Sequence, residues 1–386
     1  MSNTATEALP FFERDHTELR AHIRTWLEQT RLLESTGRTL DQQARVIAAR
    51  LGGGGFFAHV LPQAWGGKRA IVSARDLCVL REELARCDAL VDTMFAVQAL
   101  GSYPITIAGS EKQKAHYLPP FGRGTRIPAF ALTEPEAGSD VSSLQTVAVK
   151  RGNHYSLSGT KHFISNAGIA DTYVVFASSD PVQKGKGISA FIVDADASGV
   201  SIEKTTVMSP HPIGTLRFDD CRVPEDLLLG KEGDGLKIAF ETLDLLRCTV
   251  GAAAAGFAQR ALEAALAYSA SRRQFGKTLN EFQGTQFKFA EMATDLEAAR
   301  LLVYRAAWAH DDGAAEARKY ASMAKLFATE AAQKIIDQAL QIHGGSGVVV
   351  GSITEKLYRD IRALRIYEGT SEIQKLVIAR ELLKRQ

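Results

Sequence analysis

The chain has 386 residues, of which 45% are hydrophobic and 23% are charged. The length exceeds one typical core and predicts two or three domains, and the composition is typical of a soluble globular protein. The formal net charge is +2 and no long Lys/Arg block occurs, so a nucleic-acid-binding role gains no support. The most apolar stretch, 250–267, includes charged residues and predicts a helix inside a bundle rather than a membrane span.

The N-terminus, the cysteines and the histidines bear on localisation and metal binding. The first fifteen residues lack the basic start and apolar core of a secretion signal, and they are too acidic for a transit peptide. Cys78, Cys87, Cys221 and Cys248 form no C-x-x-C pair, and the nine histidines show no cluster with metal-ligand spacing. We therefore expect a reduced, intracellular, cytoplasmic protein with no bound metal.

The first part of the chain has the hydrophobic period of helices. Leu19, Ile23 and Trp26 recur at spacings of three and four. Gly52 to Gly55 fits the end of a helix rather than a cofactor loop, because the G-x-G-x-x-G order is missing. Pro119 and Pro120 are expected to stop the last helix of this part. The predicted helices span 16–29, 40–51, 73–89 and 112–118.

The middle of the chain has a different sequence pattern, which is typical of β-strands. Short apolar runs bounded by Gly, Asn, Asp and Ser predict an antiparallel β domain with strands near 129–132, 147–149, 155–157, 173–176 and 190–193. After residue 235 the helical period returns, with no internal repeat. The sequence thus predicts an α+β protein with an all-α domain (1–126), a middle β domain (127–234) and a C-terminal helical bundle (235–386).

Two glycine motifs are predicted to have no nucleotide-binding role. The segment from Gly185 to Ala190 satisfies G-x-G-x-x-A but leads into a predicted strand, so a pyrophosphate would lack a helix N-terminus. Gly276-Lys277-Thr278 resembles the end of a phosphate loop, but Ser271 occupies the position of the required first glycine.

Five segments contain residue types suited to catalysis or cofactor binding. In 366–373, Glu368 lies between an apolar pair and a Gly-Thr-Ser turn, and an apolar flank can raise the pKa of a carboxyl toward that of a general base. The alternative for this segment is a solvated helix start. The stretches 130–140 and 161–167 combine hydroxyls with small or aromatic residues, and 341–347 is dense in glycine. Arg272 and Arg273 could clamp a diphosphate, although paired arginines also occur on solvated helix ends.

Together, in this order, these segments resemble the acyl-CoA dehydrogenase family of flavoproteins. The resemblance covers nearly the whole chain and is strongest from about residue 129 to 383. It implies FAD as cofactor, an N-terminal helical domain, a middle β domain and a C-terminal four-helix bundle. It further implies a homo-oligomer, expected to be a tetramer, in which neighbouring subunits share FAD, with an electron-transfer flavoprotein as the electron acceptor.

The resemblance also implies roles for individual residues. Glu368 would be the base that removes the α-proton of an acyl-CoA thioester, while the β-hydrogen leaves as hydride to flavin N5 and gives a trans-2-enoyl product. Ser165 would lie near flavin N5. The substrate-binding residues would be Ser139, Asp244, Arg247 and Gly369. The cofactor-binding residues would be Phe130, Leu132, Thr133, Gly138, Ser139, Phe163, Ser165, Arg272, Gln274, Phe275, Phe282, Gln283, Gln341, His343, Gly344, Gly345, Thr370 and Glu372.

Some positions depart from the family pattern. Phe163 replaces the usual Trp and Ser165 the usual Thr, which preserves stacking and hydrogen bonding, whereas Glu136 stands where a small residue is common. The least family-like segment is 208–215, with His211 and Pro212, in a loop that borders the substrate entrance in the family. Two alternatives therefore stay open: the same chemistry on a group bound to an acyl carrier protein, and an acyl-CoA oxidase that uses O₂. A flavin-binding member without catalysis is a third, against which the presence of Glu368 argues.

Overall fold

The computed structural model describes residues 10–30, 32 and 37–384 of the protein. Within this part, the elements follow the α, β, α order expected from the sequence. The helices are α1 (Arg14–Gln29), α2 (Leu40–Gly53), α3 (Ala74–Cys87), α4 (Ala89–Ala108), α5 (Glu111–Gly122), α6 (Gly235–Ser271), α7 (Gln283–Asp311), α8 (Ala317–His343), α9 (Ile353–Leu364) and α10 (Ser371–Leu383).

The strands include one long pair and several short ones. They are β1 (Pro128–Ala131), β2 (Val147–Arg151), β3 (His154–Ser165), β4 (Thr172–Ser178), β5 (Ile188–Asp194), β6 (Val200–Lys204), β7 (Ile213–Pro224), β8 (Leu228–Leu229), β9 (Arg273–Gln274) and β10 (Lys277–Thr278). Short 3₁₀ helices span Phe56–Val60, Gln63–Trp65, Val141–Ser143, Pro181–Gly187, Glu225–Leu227, Leu279–Glu281 and Gly344–Val348. No helix in the described ranges has both the length and the apolar content needed to cross a membrane.

Local sequence explains where α5 begins, but the structure corrects the expectation about where it ends. Helix α5 starts with a capping box in which the Ser110 hydroxyl accepts from Gln113 N–H and the Gln113 side chain accepts from Ser110 N–H. Pro119 and Pro120 were expected to stop this helix, but α5 passes through both and ends at Gly122. The carbonyl groups of the two prolines still accept hydrogen bonds from residues that follow them, at 3.1 to 3.2 Å, so the final turn closes.

The described residues cluster into two compact units. The first contains the described residues up to Gln29, Ser73–Asp92 and the described residues from Asp244 onward. In it, α1 packs on α3, and α8 packs on α7, α9 and α10. Glycine permits a close crossing of α6 on α3, because a Cβ at Gly256 would lie 2.2 Å from the Glu82 carbonyl oxygen.

The second unit contains the described residues of Thr30–Val72 together with Thr93–Leu243, and it is built on a sheet with strand order β6-β7-β3-β2-β4-β5-β8. All residues of β4 are buried, so this strand forms the centre of the core. The five predicted strands are all present, and their neighbours are mostly antiparallel, as expected. Two pairings differ: β1 pairs with β4 in parallel, because the chain turns back through the β2–β3 hairpin before it enters β4, and β2 meets β4 in parallel at Val147 and Ser178.

Neither glycine motif, 185–190 or 276–278, leads directly into an α-helix. The first lies in the 3₁₀ helix Pro181–Gly187, which leads directly into β5 rather than into an α-helix. The second forms the β9–β10 hairpin, where Phe275 and Gly276 both have positive φ, at 49° and 82°. Neither therefore places backbone N–H groups at the start of an α-helix.

Candidate active site

In the first unit, Glu368 lies in the tight connection between α9 and α10. Its φ of 52° is followed by a φ of 89° at Gly369, so two consecutive residues adopt the left-handed conformation. Such a φ is uncommon for a residue with a Cβ and is found where the surrounding structure enforces it. The Thr370 hydroxyl then caps α10 by accepting from Ile373 N–H at 3.3 Å.

Two buried side chains fix this turn through its carbonyl groups. The Gln374 amide donates to the Gly369 carbonyl at 2.8 Å and to the Glu368 carbonyl at 3.3 Å. The Lys325 ammonium donates to the same Gly369 carbonyl at 2.7 Å. The turn is therefore held from two helices, α10 and α8.

Glu368 is a half-buried residue whose carboxyl lies in a charged environment. Its Oε2 atom is inaccessible and has no hydrogen-bond partner among the described residues. Burial raises the pKa of Glu368 above its ordinary value, while the nearby cations Arg81, Lys325 and Arg247 act in the opposite direction and Asp92 adds to the rise. A carboxyl with a raised pKa and an unused oxygen is suited to accept a proton.

The sequence analysis missed three residues that shape this environment: Arg81, Lys325 and Asp92. Arg81 is paired with Asp92 at 2.7 and 2.9 Å and donates to the Thr249 hydroxyl at 3.0 Å, and all three side chains are buried. For Lys325 the sequence contained one signal, because a lysine stands at a core-facing position of an Ala-rich helical period. The contacts with Glu368 join segments far apart in the sequence, which single-sequence periodicity does not reveal.

Two of the four residues expected to bind substrate, Asp244 and Arg247, pair with each other. Arg247 is buried and donates through Nη1 to the Asp244 carboxylate, while its Nε has no partner in the described part of the chain. Arg318 lies 3.5 Å from the same carboxylate. Asp244 thus orients Arg247 and leaves one guanidinium donor unused.

Several predicted cofactor residues converge on one cavity of the first unit. Its volume is about 500 Å³, and its lining residues are Tyr268, Arg272, Gln274, Leu279, Ile342, His343, Gly344, Gly345 and Ser346. Two motifs about seventy residues apart in the sequence thereby meet. A Cβ at Gly344 or Gly345 would meet no heavy atom within 4 Å, so the glycine segment leaves open space beside its backbone. Glu368 is not among the lining residues.

The remaining predicted cofactor residues of this unit are accessible but lie outside that cavity. Phe275 is 93% exposed at the tip of the β9–β10 hairpin, and its ring lies 6.4 Å from that of Phe282. Arg273, in contrast, closes the hairpin by donating to the Gly276 carbonyl at 2.7 Å. The side chains of Gln283, Gln341 and Glu372 are exposed, and Thr370 is half-buried.

In the second unit, the loop after β1 is held by a buried ion pair. The Lys161 ammonium lies 2.6 Å from the Glu134 carboxylate and 3.1 Å from the Leu132 carbonyl. The Glu134 carboxylate also accepts from the N–H groups of Gln145 and Thr146 at 2.5 and 3.0 Å. Burial lowers the pKa of Lys161 to about 8 despite its partner. The sequence analysis did not identify this pair, which positions Leu132, Thr133 and the residues that follow.

The second predicted flavin segment lies beside that loop. His162 N–H donates to the Thr133 carbonyl at 2.8 Å, which joins the two motifs. Strand β3 carries a bulge between Lys161 and Ile164, and within it Phe163 has a φ of 55° and is 54% exposed. The bulge, rather than regular alternation along the strand, therefore directs the Phe163 ring outward.

Ser165 has an unexpected neighbour in His211, from the segment that departs from the family pattern. His211 Nδ1 lies 3.0 Å from the Ser209 carbonyl and must carry the proton, so Nε2 accepts from the Ser165 hydroxyl at 3.3 Å. Burial lowers the pKa of His211, which keeps the ring neutral. A neutral histidine thus orients the hydroxyl expected near the flavin.

The other predicted residues of this unit differ in accessibility. Phe130 packs against Phe176 with ring centres 4.9 Å apart, and Leu132 is buried. Gly138 and Ser139 are exposed, and a Cβ at Gly138 would meet nothing within 4 Å. Glu136 is also exposed, so its carboxylate carries no burial cost at a position where the family usually has a small residue.

These residues fit FAD. An exposed aromatic ring, an oriented hydroxyl and an open glycine suit a flavin ring, and Arg272 beside two unobstructed glycines suits a diphosphate. Another cavity, of about 640 Å³, lies in the second unit around Ser110, Asp234 and Lys237 and includes none of the predicted site residues.

Three protein-family models match successive parts of the chain. Residues 13–125 match the acyl-CoA dehydrogenase N-terminal domain, 129–221 the middle domain and 233–383 the C-terminal domain.

Individual relatives and structures are also similar. A probable acyl-CoA dehydrogenase of Mycobacterium leprae is 39% identical over 96% of both chains. The caffeyl-CoA reductase-Etf complex subunit CarC of Acetobacterium woodii is 40% identical over 86% of this chain and 88% of its own. The structure of butyryl-CoA dehydrogenase from Megasphaera elsdenii superposes with a TM-score of 0.90 at 35% identity, covering 96% of this chain and 99% of that one. These matches favour acyl-CoA dehydrogenation over the carrier-protein and oxidase alternatives.

Proposed function

The chain is an FAD-dependent oxidoreductase that belongs to the acyl-CoA dehydrogenase family, and we propose that Glu368 is the base for α,β-dehydrogenation of its acyl-CoA substrate. The product would be the trans-2-enoyl thioester. The observation that carries the assignment is the Glu368 carboxyl itself, whose Oε2 is buried without a partner and whose pKa burial raises. A general base works best when its pKa approaches the working pH.

The backbone at Glu368 supports the same role. Among the described residues, the Glu368 N–H donates no hydrogen bond to the protein, although the carbonyl groups of the turn are all well anchored. Removing an α-proton places negative charge on the thioester oxygen, which an oriented N–H can stabilise. The same residue would thus accept the proton through its side chain and bind the carbonyl through its backbone.

The FAD-binding residues would act in two groups. Phe163 would stack on the flavin ring and Ser165 would hydrogen-bond to it, with Phe130, Leu132, Thr133, Gly138 and Ser139 around them. Arg272, Gln274, His343, Gly344 and Gly345 would hold the FAD of a neighbouring subunit, with Phe275, Phe282, Gln283 and Gln341, while Thr370 and Glu372 would complete the contacts. FAD, when bound, supplies the acceptor for the β-hydrogen, which leaves as hydride.

The substrate would be held by residues around the turn and on α6. Gly369 and Ser139 would contact the acyl thioester, and Arg247, oriented by Asp244, would use its free guanidinium donor near the carrier group. We expect an electron-transfer flavoprotein to take the electrons, which the similarity to a subunit of an Etf complex supports. We also propose a homotetramer located in the cytoplasm, with a dimer as the smallest assembly that shares FAD.

Replacement of Glu368 by Gln tests the assignment. The amide is nearly isosteric but cannot accept the proton, so turnover should fall about 10²- to 10⁴-fold, while the purified protein stays yellow with bound FAD. The measurement is anaerobic bleaching of the flavin absorbance by a panel of acyl-CoA thioesters of different length and branching. Glu381→Gln, near the C-terminal end of α10, where Glu381 pairs with Lys384 at 2.8 Å, is the matched control and should behave as wild type.

Two outcomes would contradict this function. If Glu368→Gln bleached the flavin at a near-normal rate, the proton would have another acceptor. If no thioester of the panel bleached the flavin of the wild-type protein, acyl-CoA dehydrogenation itself would be wrong for this chain.

A further inference from the structure

Lys325 is a buried cation on an otherwise apolar helix face. It lies on α8 among Ala321, Ala324 and Ala328, all of which are buried, and its side chain has no exposed surface. Burying an ammonium group carries a large desolvation cost unless it is paired. The burial lowers its pKa to about 8, with Glu368 as the largest opposing charge. A residue kept at this cost in the core of the first unit calls for a specific role.

The one hydrogen bond that its ammonium group makes in the described part of the chain points to that role. The Lys325 ammonium donates to the Gly369 carbonyl at 2.7 Å, in the left-handed turn that presents Glu368. The Gln374 amide shares this acceptor, but it comes from α10, which the turn itself begins. Lys325 thus ties the Gly369 carbonyl to a separate helix, α8, which also holds the residues that flank the turn, because Glu330 accepts from Ser371 Oγ at 2.6 Å and from Arg365 Nε at 2.9 Å.

The other cations near Glu368 are already engaged elsewhere. Arg81 is paired with Asp92, and Arg247 donates to Asp244. The charged groups facing Glu368 are Arg81 from α3, Asp92 from α4, Arg247 from α6 and Lys325 from α8; those facing Lys325 are Glu368, Arg247, Glu330 and Glu372. Lys325 therefore combines a hydrogen bond to the backbone of the turn with a positive charge beside the carboxyl.

We propose that Lys325 is a positioning residue that fixes the Glu368–Gly369 turn and, through its charge, keeps the Glu368 carboxylate ready to accept the proton. The inference rests on the proposed role of Glu368 as base. Lys325 does not itself exchange a proton with substrate in this scheme. It acts on the conformation of the turn and on the fraction of Glu368 that is ionised at a given pH.

The test compares Lys325→Met with a matched control on the same helix. Lys334 is exposed and pairs with Asp295 at 3.0 Å, so Lys334→Met removes a cation from α8 without touching the turn. Lys325→Arg keeps the charge and the donor. We measure kcat and KM for the best thioester across pH, together with FAD content.

Lys325→Met should lower kcat about 10- to 100-fold, because a small misplacement of a reacting group has effects of that size. Loss of the facing charge raises the pKa of Glu368, so the acidic limb of the kcat/KM profile should move to higher pH. Lys334→Met should match wild type, and Lys325→Arg should restore the position of the limb. A Lys325→Met enzyme that loses activity with an unmoved limb, or that keeps full activity, would overturn the proposal.

A second measurement does not depend on turnover. Amide hydrogen exchange of the FAD-loaded protein over 366–371 should speed up in Lys325→Met and stay unchanged in Lys334→Met, since the turn loses an anchor. Unchanged exchange in both variants would overturn the positioning role. This result stands even if Glu368→Gln were active, so a failure of the proposed base and a failure of the Lys325 inference remain distinguishable.

Discussion

The proposed base, Glu368, would couple activity to pH. Burial favours the neutral carboxyl, whereas the proposed reaction needs the carboxylate. The nearby cations Arg81, Lys325 and Arg247 limit the rise of its pKa. In its proposed role, the carboxyl would be costly to ionise and would take the proton when substrate binds.

Activity and stability should therefore respond to pH in opposite directions. The folded-state pKa of Glu368 is raised, so between its ordinary value and the raised value the folded state binds more protons than the unfolded state. Stability then decreases as pH rises through this window, while kcat/KM increases as the carboxylate forms. Measuring Tm and kcat/KM at a series of pH values checks both trends. In Glu368→Gln the Glu368 contribution to the Tm trend should disappear; an identical Tm profile in both proteins would contradict the raised pKa.

At this scale the sequence pointed to some residues of the proposed site and not to others, for a physical reason. Glu368, Arg272 and Gly344 belong to short motifs whose composition reports their chemistry. Lys325 and Arg81 act through contacts made only after helices pack, and each lies in a helical period that looks like ordinary core.

For the secondary-structure elements, the local sequence pattern gave the correct prediction where a single strand or helix determines the structure. Alternating and clustered apolar residues located the main strands, and hydrophobic period located α1, α2 and α3. The parallel pairing of β1 with β4 and the bulge at Phe163 depend on neighbouring strands, so the period of a single strand could not specify them.

The crossing of α6 on α3 depends on a single glycine, and this is testable. A Cβ at Gly256 would lie 2.2 Å from the Glu82 carbonyl and 3.0 Å from the Arg86 nitrogen, both of which are backbone atoms that cannot rotate away. Gly256→Ala must push the helices apart, and overpacking of this kind costs about 1–3 kcal/mol. Thermal unfolding should show a clear drop in Tm.

The control is Gly53→Ala in the last turn of α2. A Cβ there meets nothing within 4 Å, and alanine favours the helix by up to about 1 kcal/mol over glycine. Its Tm should stay level or rise. Equal Tm values for the two variants would mean that helix propensity, and not the close crossing, sets the response at Gly256.

For the whole molecule, the hydrophobic pattern predicted a three-part α, β, α chain, while assembly had to be inferred from the family resemblance. The structure adds an observation that bears on assembly. In the first unit, Phe275 is 93% exposed, and the consecutive residues Val348, Val349 and Val350 are 62%, 59% and 84% exposed. Exposed apolar groups of this kind favour burial against a partner, which in the proposed homo-oligomer would be a second copy of the chain.

A complementation experiment tests whether subunits share FAD as proposed. Glu368→Gln removes the base, and Arg272→Ala removes a cation from the cavity assigned to the neighbour's FAD. Each variant alone should be nearly inactive. When both are co-expressed and the mixed assembly is purified with two affinity tags, one site of each mixed pair unites an intact Glu368 from one chain with an intact Arg272 from the other. Activity should reappear in the mixed assembly. If every site were built from a single chain, no combination would contain both residues, and the mixed assembly would stay as inactive as its parents.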